Sequence, residues 1–299
     1  MKHKKMLLVF ALVAIFALAL SACGGEAAKG TEENPIVWVL VPSSEAEGVL
    51  AGFGTFTDMV FDETGLVIEP FVATSNAAAI EALCSGQADM GALNTFSTVL
   101  ASERDCVDVE LVAVRYGSPF YNGQMLAAAD SGVVTIADFA GKTFCRDDDL
   151  STSSWIIPSL EMLANGVDPD TDLAGIKDAG GHDLVIIGII EGDCEVGASY
   201  VDARGSVEDK YPDVMDQVNV IAISADIPND GIQYQKDFPQ ELRDQLNPAF
   251  IKVAGTEAGG AALKDAYSWN GLEEHDYEFY APFLQVLEAS GFDISTLVE

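Results

Sequence analysis

The sequence predicts an α/β protein of two lobes with a ligand cleft between them. The chain has 299 residues, and at roughly 150 residues per domain this length allows two lobes. Hydrophobic residues make up 49% and charged residues 21%, which is typical of a globular chain with a buried core. Short apolar runs alternate with segments of helical spacing, and this alternation indicates parallel sheets with crossover helices.

The first lobe is predicted from a repeated unit of strand and helix. Ile36 to Val41 is an apolar run closed by Pro42, and apolar residues recur at helical spacing from Val49 to Gly65. The unit continues with strands at 66–73, 88–93 and 107–115 and helices at 77–84 and 96–103. Residues 35–123 and 219–299 are assigned to this lobe, and the second part is predicted to be mostly helical, at 240–253, 259–267 and 280–290.

The second lobe is assigned to residues 124–218. Strands are predicted at 141–145 and 194–200, and helices at 151–165 and 184–191, after which the chain returns through 218–225. Because the chain crosses twice between the lobes, a cleft is expected between them, and ligands bind in such clefts.

The N-terminal segment is typical of a signal peptide. An apolar run of 15 residues, 6–20, follows Lys2, Lys4 and Lys5 and is too short for a comfortable membrane span. Its end, Leu20-Ser21-Ala22-Cys23, resembles the lipobox of bacterial lipoproteins. Residues 1–22 are therefore predicted to be a lipoprotein signal peptide, Cys23 the lipidated residue and residues 23–34 a flexible tether. An ordinary secretory signal with a chance Cys is the alternative.

The net negative charge of the chain argues against nucleic acids as partners. The chain has 15 Lys and Arg against 48 Asp and Glu, a formal net charge of -33. Removal of residues 1–22 takes away three Lys and no acid, which leaves -36 and 12 basic residues. Such a field repels nucleic acid phosphates and anionic membrane surfaces, so no nucleic-acid partner is expected.

The remaining cysteines fit an exported protein. There are four of them, an even number that fits disulfide formation in an oxidising compartment, and their spacing does not resemble a zinc site. Three pairings are open, and pairing within each predicted lobe favours Cys84–Cys106 and Cys145–Cys194. Free buried thiols are the alternative.

The sequence contains none of the common catalytic or nucleotide-binding motifs. It contains no GxSxG, GxxxxGK[ST], HExxH or helix-opening GxGxxG pattern. The three His residues, His3, His182 and His275, are too scattered for a metal cluster. No catalytic residue, cofactor or metal is therefore predicted.

One run of hydroxyl residues predicts an anion site. Ser151, Thr152 and Ser153 open an amphipathic helix, where free N–H groups and the positive end of the helix dipole favour an anion without Lys or Arg. The alternative is that Ser151 or Ser153 merely caps the helix. Pro158 is expected to kink this helix or displace its start.

Several short segments occur in a specific order along the chain. Besides the Ser151-Thr152-Ser153 run, they are Gly117-Ser118-Pro119-Phe120-Tyr121, Gly180-Gly181-His182-Asp183, Val196 to Arg204, Ile227-Pro228-Asn229-Asp230, and Glu69 to Ala73 with Ile80 to Leu83. Together they resemble the substrate-binding components of phosphate, phosphite and phosphonate ABC transporters. The resemblance covers about residues 36–292. It implies the two-lobe periplasmic-binding-protein type II fold, with ABC permease and ATPase subunits as partners.

The resemblance also implies the site residues. The expected ligand-binding set is Tyr121, Ser151, Thr152, Ser153, His182, Asp202, Asp230 and Asn76. Asn76 follows Ser75 where family members commonly carry an aromatic residue, and the Ala92-Leu93-Asn94 segment lacks the usual aromatic residue too.

The two carboxylates in this set restrict the ligand. An ionised carboxylate only accepts hydrogen bonds, so a dianion facing Asp202 and Asp230 must bring donors. Protonated phosphate or phosphite, or a phosphonate with an amine, meets this requirement, whereas sulfate does not. His182 is expected to add a charge-assisted donor.

The sequence therefore predicts a monomeric, lipid-anchored receptor on the extracytoplasmic face of the cell membrane that binds a small phosphorus oxyanion by hinge closure. The alternatives are a receptor of the same fold for another small anionic or amino-acid-like solute, a secreted lipoprotein enzyme acting on phosphoesters, and a signalling or adhesive lipoprotein with a vestigial cleft.

Overall fold

The computed structural model describes residues 27–41, 46–292 and 294. The predicted signal peptide and Cys23 lie outside these residues. None of the described helices is long and apolar enough to span a membrane.

The helices and strands follow the predicted alternation. The first lobe begins with β1 (Ile36–Leu40), α1 (Ala46–Thr64), β2 (Ile68–Val72), α2 (Asn76–Cys84), β3 (Met90–Ala92), α3 (Thr95–Glu103) and β4 (Val107–Val114). The second contains β5 (Phe120–Ala128), β6 (Thr143–Arg146), α4 (Ile157–Ala164), β7 (Gly175–Asp178), α5 (His182–Ile190), β8 (Val196–Tyr200), α6 (Val214–Gln217) and β9 (Val218–Pro228). The chain returns to the first lobe with β10 (Gly231–Gln235), α7 (Gln240–Ala254), α8 (Glu257–Tyr267), β11 (Gly271–Glu274) and α9 (Ala281–Ala289).

Each lobe is built on one sheet, and the predicted two-lobe α/β fold is confirmed. The strand orders are β11-β4-β10-β3-β1-β2 in the first lobe and β7-β6-β8-β5-β9 in the second. The expectation of parallel sheets is wrong in part. β1 pairs in parallel with β2 and β3, but β10 and β11 are antiparallel to their neighbours, as β5 is to β8 and β9. A strand that re-enters a sheet from the other lobe need not share its direction.

The chain changes sheets at two short segments, 115–119 and 229–230. The predicted lobe boundaries, 123/124 and 218/219, instead fall inside β5 and at the start of β9. Both strands belong to the sheet of the second lobe, where Phe120 pairs with Pro228 and Ala128 with Val218. Residues 219–228 therefore extend the second sheet and not the first.

The core of the first lobe is aromatic. The ring of Trp38 on β1 lies 4.9 Å from that of Phe53 and 5.4 Å from that of Phe250, all fully buried. This packing holds α1 and α7 against the same sheet. Aromatic pairs at these distances add to the stability that their buried area provides.

Both favoured disulfides are present. Cys84 at the end of α2 bonds to Cys106, and Cys145 in β6 bonds to Cys194 just before β8. Each bridge closes a loop within one lobe, so the predicted pairing is confirmed.

The described part of the predicted tether, residues 27–34, is a hydrogen-bonded turn against the first lobe. Gly30 N–H donates to Asn34 O over 2.8 Å, and Val67 N–H donates to Gly30 O over 2.8 Å. Lys29 Nζ lies 2.6 Å from Asp89 Oδ2. These bonds fix residues that were expected to be flexible.

Candidate ligand site between the lobes

Two helix starts in the first lobe contact the segment that follows β6 in the second. Asn76 N–H, at the start of α2, donates to Asp148 Oδ2 over 3.2 Å. Phe96 N–H, in the first turn of α3, donates to Thr152 Oγ1 over 2.8 Å. The same Thr152 hydroxyl donates to Asn94 Oδ1 over 3.1 Å. The Thr152 side chain therefore joins the lobes both as donor and as acceptor.

The predicted hydroxyl run opens a π-helical turn. This turn spans Thr152–Ile156, and α4 begins at Ile157. Pro158 has no N–H to donate to the carbonyl four residues earlier, so the predicted displacement of the helix start is confirmed. Ser151 makes no side-chain capping bond. The first N–H groups of the segment have no acceptor within it.

Hydroxyl groups from both lobes meet at Tyr121, near the start of β5. Thr95 of α3 and Ser153 of the π-helical turn lie beside the Tyr121 hydroxyl. Burial and the nearby Asp230 raise the pKa of Tyr121, whereas Arg115 and the two hydroxyls lower it. A Cβ at Gly123 would lie 3.3 Å from Ser153 O, so glycine there permits the close approach of the turn to β5.

Arg115, which no sequence motif singled out, belongs to the same cluster. Its guanidinium carbon lies 5.9 Å from the centre of the Tyr121 ring. Nε donates to Tyr267 O over 3.1 Å, Nη1 donates to Asn229 Oδ1 over 2.9 Å, and both terminal nitrogens donate to the Asp230 carboxylate. Burial lowers the pKa of Arg115, and Asp230 more than offsets this effect. The available signal was its position between a buried strand and the Gly117 to Tyr121 motif.

The ion pair of Arg115 and Asp230 lies where the chain passes between the lobes. Arg115 belongs to the first crossing segment and Asp230 to the second. Asn229 joins the same segments, because its N–H donates to Pro119 O over 2.8 Å and its Nδ2 donates to Ser118 O over 3.0 Å. The Arg115–Asp230 ion pair therefore links the two crossing segments beside Tyr121.

Asp230 was predicted to face the ligand as an ionised carboxylate, and in the structure this carboxylate is paired with Arg115. Besides Arg115, Trp269 Nε1 donates to Asp230 Oδ2 over 3.1 Å. The Asp230 side chain is 12% exposed and that of Arg115 is 19% exposed. The arginine neutralises this carboxylate within the cluster.

Asp202 is also paired with an arginine, in the loop after β8. Arg204 Nη2 donates to Asp202 Oδ2 over 2.6 Å, and Gln124 Nε2 donates to Asp202 Oδ1 over 3.1 Å. The bond from Arg204 lowers the pKa of Asp202. Asp202 is exposed, in contrast to the buried hydroxyl run.

His182 begins α5 and lies beside a buried carboxyl group. Its Nδ1 is 2.9 Å from Ser199 Oγ, and its Nε2 is 3.6 Å from Asp147 Oδ2. Burial lowers the pKa of His182 to about 4, and the field of Arg115 acts in the same direction. The imidazole is therefore neutral at neutral pH, which differs from the predicted charge-assisted donor.

Asn76 lies at the contact of the two lobes as a buried residue. Its side-chain oxygen accepts a hydrogen bond from Asn94 Nδ2 over 2.8 Å, and Ser75 caps α2 by accepting from Ala78 N–H. Within the described residues, no group of three or more His, Cys, Asp or Glu side chains is arranged to hold a metal ion.

Comparison with known proteins identifies the family. The model of a family described as "ABC transporter, phosphonate, periplasmic substrate-binding protein" matches residues 38–280. The chain belongs to this family. The family resemblance of the sequence is thus confirmed over most of the chain.

Two curated relatives carry names of the same kind. The chain is 29% identical over 214 residues to the phosphate-import protein PhnD of Mycolicibacterium smegmatis, a match that covers 66% of this chain and 65% of that protein. The chain thus spans slightly less than two thirds of that relative's length. It is 20% identical over 239 residues to the phosphonates-binding periplasmic protein of Escherichia coli, with 78% and 70% covered.

Solved structures share the fold. A binding protein component of an ABC phosphonate transporter from Pseudomonas aeruginosa superposes with a TM-score of 0.78 at 20% identity, covering 86% of this chain and 87% of that one. PhnD1 from Prochlorococcus marinus, solved in complex with methylphosphonate, superposes with a TM-score of 0.74 at 14% identity, covering 87% and 100%.

Proposed function

We propose that this protein captures a small phosphorus oxyanion between its lobes by hinge closure and delivers it to the permease and ATPase of an ABC importer. The observation that carries the proposal is the cluster at the chain crossings. There, hydroxyl groups of Thr95, Tyr121 and Ser153 come from both lobes and meet beside Arg115.

These groups suit a tetrahedral oxyanion. Hydroxyl and guanidinium groups donate hydrogen bonds, and bonds to charged oxygens are stronger than those between neutral groups. The starts of α3, of α5 and of the π-helical turn approach the same region through Thr95, His182 and Ser153. Helix starts add the positive end of their dipoles, so the region favours an anion in a chain of charge -33.

Contacts between the lobes support closure around the ligand. Thr152 bonds to Asn94 and Phe96 across the boundary, and Asp148 bonds to Asn76. The Thr95 hydroxyl donates to Pro228 O over 2.7 Å, so on this side the ligand is held by the N–H groups at the start of α3. A ligand held there and by Ser153 on the other side stabilises the same closed arrangement. Ligand binding and lobe closure are then one event.

The proposal includes the cellular context. Lipid attached at Cys23 holds a monomeric receptor at the extracytoplasmic face of the cell membrane, and the protein acts without catalytic residues or cofactors. The family match and the names of the relatives, which are transport and binding proteins, support this role.

A binding panel tests the function. The mature protein without its lipid is titrated calorimetrically with phosphate, phosphite, methylphosphonate, aminoethylphosphonate and sulfate. At least one phosphorus compound is expected to bind. In a parallel thermal unfolding measurement the same compound is expected to raise the unfolding temperature, because a ligand at about 100 times its Kd stabilises by about 2.7 kcal/mol. Binding only to sulfate, or to none of the five, would contradict the proposal.

Two variants locate the ligand. Ser153→Ala is expected to weaken binding roughly ten- to a hundredfold, the range for one lost hydrogen bond to a charged group. Ser206→Ala is the matched control, because Ser206 is exposed and bonds only to Ala203 O within its own turn. Equal affinities of the two variants would remove Ser153 from the site.

A further inference from the structure

Asp147 differs from the two predicted site carboxylates. Asp202 and Asp230 are bound by arginines, whereas Asp147 Oδ1 is buried and has no hydrogen-bond partner among the described residues. The residue is only 3% exposed. A buried carboxyl oxygen without a partner is costly, so it needs an explanation in function.

Asp147 lies at the boundary between the lobes. It follows β6 directly, and its N–H donates to Ser154 Oγ over 2.8 Å, which fixes it to the hydroxyl run. Its Oδ2 is 3.6 Å from His182 Nε2 at the start of α5. Ser154 follows Ser153, which is proposed to hold the ligand, so the bond from Asp147 N–H places the carboxyl group beside that part of the cluster.

The surroundings of Asp147 are mostly acidic or neutral. The acidic neighbours are Asp148 in the same loop, Asp183 on α5 and Asp178 on β7, and each of them raises the pKa of Asp147. The Ser151 hydroxyl before the π-helical turn stabilises the ionised carboxylate and lowers this pKa, and the remaining neighbour is His182 on α5. His182 is neutral at neutral pH, so none of these neighbours supplies a full positive charge to Asp147.

We propose that the Asp147 carboxyl group shares one proton with the bound oxyanion and thereby makes ligand binding depend on pH. The inference rests on the proposed function. An ionised Asp147 accepts a hydrogen bond from a protonated phosphate or phosphonate oxygen, and a neutral Asp147 donates one to an unprotonated oxygen. In both descriptions a single proton lies between the same two oxygens.

The electrostatics agree with this geometry. Burial, with Asp148 as the next contribution, raises the pKa of Asp147 to about 7. A bound anion raises it further, because like charges oppose ionisation. Sulfate brings no proton at neutral pH, so it binds when Asp147 itself carries the proton, and its affinity falls as pH rises above the pKa of Asp147.

Proton uptake during binding tests the inference. Methylphosphonate is titrated calorimetrically at about pH 8.5, above the pKa of Asp147, in two buffers of different ionisation enthalpy. The wild type is expected to take up close to one proton per ligand, and Asp147→Asn close to none. Asp193→Asn, a change of the same type at an exposed residue, is expected to match the wild type.

Sulfate gives the second measurement. The affinity of the wild type for sulfate is expected to fall about tenfold per pH unit above the pKa of Asp147, because sulfate binds only once the carboxyl group has taken up a proton. The affinity of Asp147→Asn is expected to change little with pH, because the amide donates without titrating. No proton uptake by the wild type overturns the inference without any variant. So does a sulfate affinity that falls with pH equally in the wild type and in Asp147→Asn. Failure of the wild type to bind any phosphorus compound instead refutes the proposed function itself.

Discussion

The Thr152 hydroxyl accepts a hydrogen bond from the Phe96 N–H across the lobe boundary, over 2.8 Å. Thr152 is 1% exposed in this arrangement. Because Thr152 and Phe96 belong to different lobes, opening of the cleft breaks this bond and hydrates both groups. The bond therefore contributes to closure and not to the folding of either lobe.

Thr152→Ala is accordingly expected to weaken ligand binding roughly ten- to a hundredfold and to change the stability of the ligand-free protein little. A buried N–H without a partner costs about 1–3 kcal/mol, and here that cost falls on the closed state. Thr152→Ser keeps the hydroxyl and is expected to retain most of the affinity. Calorimetric titration and thermal unfolding of both variants check this, and unchanged affinity in Thr152→Ala would contradict the role in closure.

Local signals predicted much of the fold and part of the site. The spacing of apolar residues located most helices, and α4 begins next to Pro158, as expected. The two disulfides are the pairs that the sequence analysis favoured. The partners of β5 and β9 could not be predicted from spacing, because pairing between strands about a hundred residues apart leaves no local pattern.

The electrostatics of the site were the hardest part to predict. Arg115 pairs with Asp230, 115 residues away, and this pairing changes the role of the carboxylate. Asp147 is one acid among 48 Asp and Glu, and only its burial distinguishes it. Such properties arise from tertiary contacts, which a motif in the sequence does not contain.

The Arg115–Asp230 pair is expected to be important for stability. Removal of one partner of a buried pair costs about 3–5 kcal/mol, because the other charge is left unpaired. Arg115→Gln should lower the free energy of unfolding by this amount, and the double variant with Asp230→Asn should recover part of it. Lys177→Gln breaks the exposed pair with Asp193 and should cost less than about 1 kcal/mol. Additive effects of the two substitutions in urea unfolding would argue against coupling.

The disulfides are expected to contribute unequally. They close loops with sequence separations of 22 and 49 residues, and loop-closure entropy predicts about 3 and about 4 kcal/mol of stabilisation. Replacing Cys145 and Cys194 together by Ala should therefore destabilise more than replacing Cys84 and Cys106. Urea unfolding of the two double variants measures the order, and the reverse order would show that local packing outweighs loop length.

Membrane attachment is expected to depend on Cys23. The described residues contain no helix that could span a membrane, and stable anchoring of such a protein requires acyl chains. Cys23→Ser should move the full-length chain from the membrane fraction to the soluble fraction after cell disruption. A Cys23→Ser protein that is cleaved after Ala22 and still sediments with membranes would refute the lipid anchor.

The last prediction concerns pH and stability. Asp147 has its pKa raised from 3.8 to about 7 in the folded protein, so it favours the folded state only while protonated. Its contribution to stability is present below its unfolded pKa and is lost as pH rises toward 7. Burial lowers the pKa of His182 from 6.5 to about 4. As pH falls from about 6.5 to about 4, the unfolded chain takes up a proton at His182 and the folded protein does not, so the free energy of unfolding decreases. Between about pH 4 and 6.5 these two trends oppose each other.

Asp147→Asn removes the pH dependence of stability that comes from Asp147 and leaves the one that comes from His182. The free energy of unfolding of Asp147→Asn, relative to wild type, is therefore expected to rise with pH between about 4 and 7, by at most about 1.4 kcal/mol per pH unit. Urea unfolding of both ligand-free proteins across this range measures the difference. All other acidic groups are common to the two proteins, and Asp193→Asn controls for the loss of one negative charge. A difference that stays constant with pH would mean that Asp147 titrates in the folded protein as it does in the unfolded chain, and that its burial does not hold the proton.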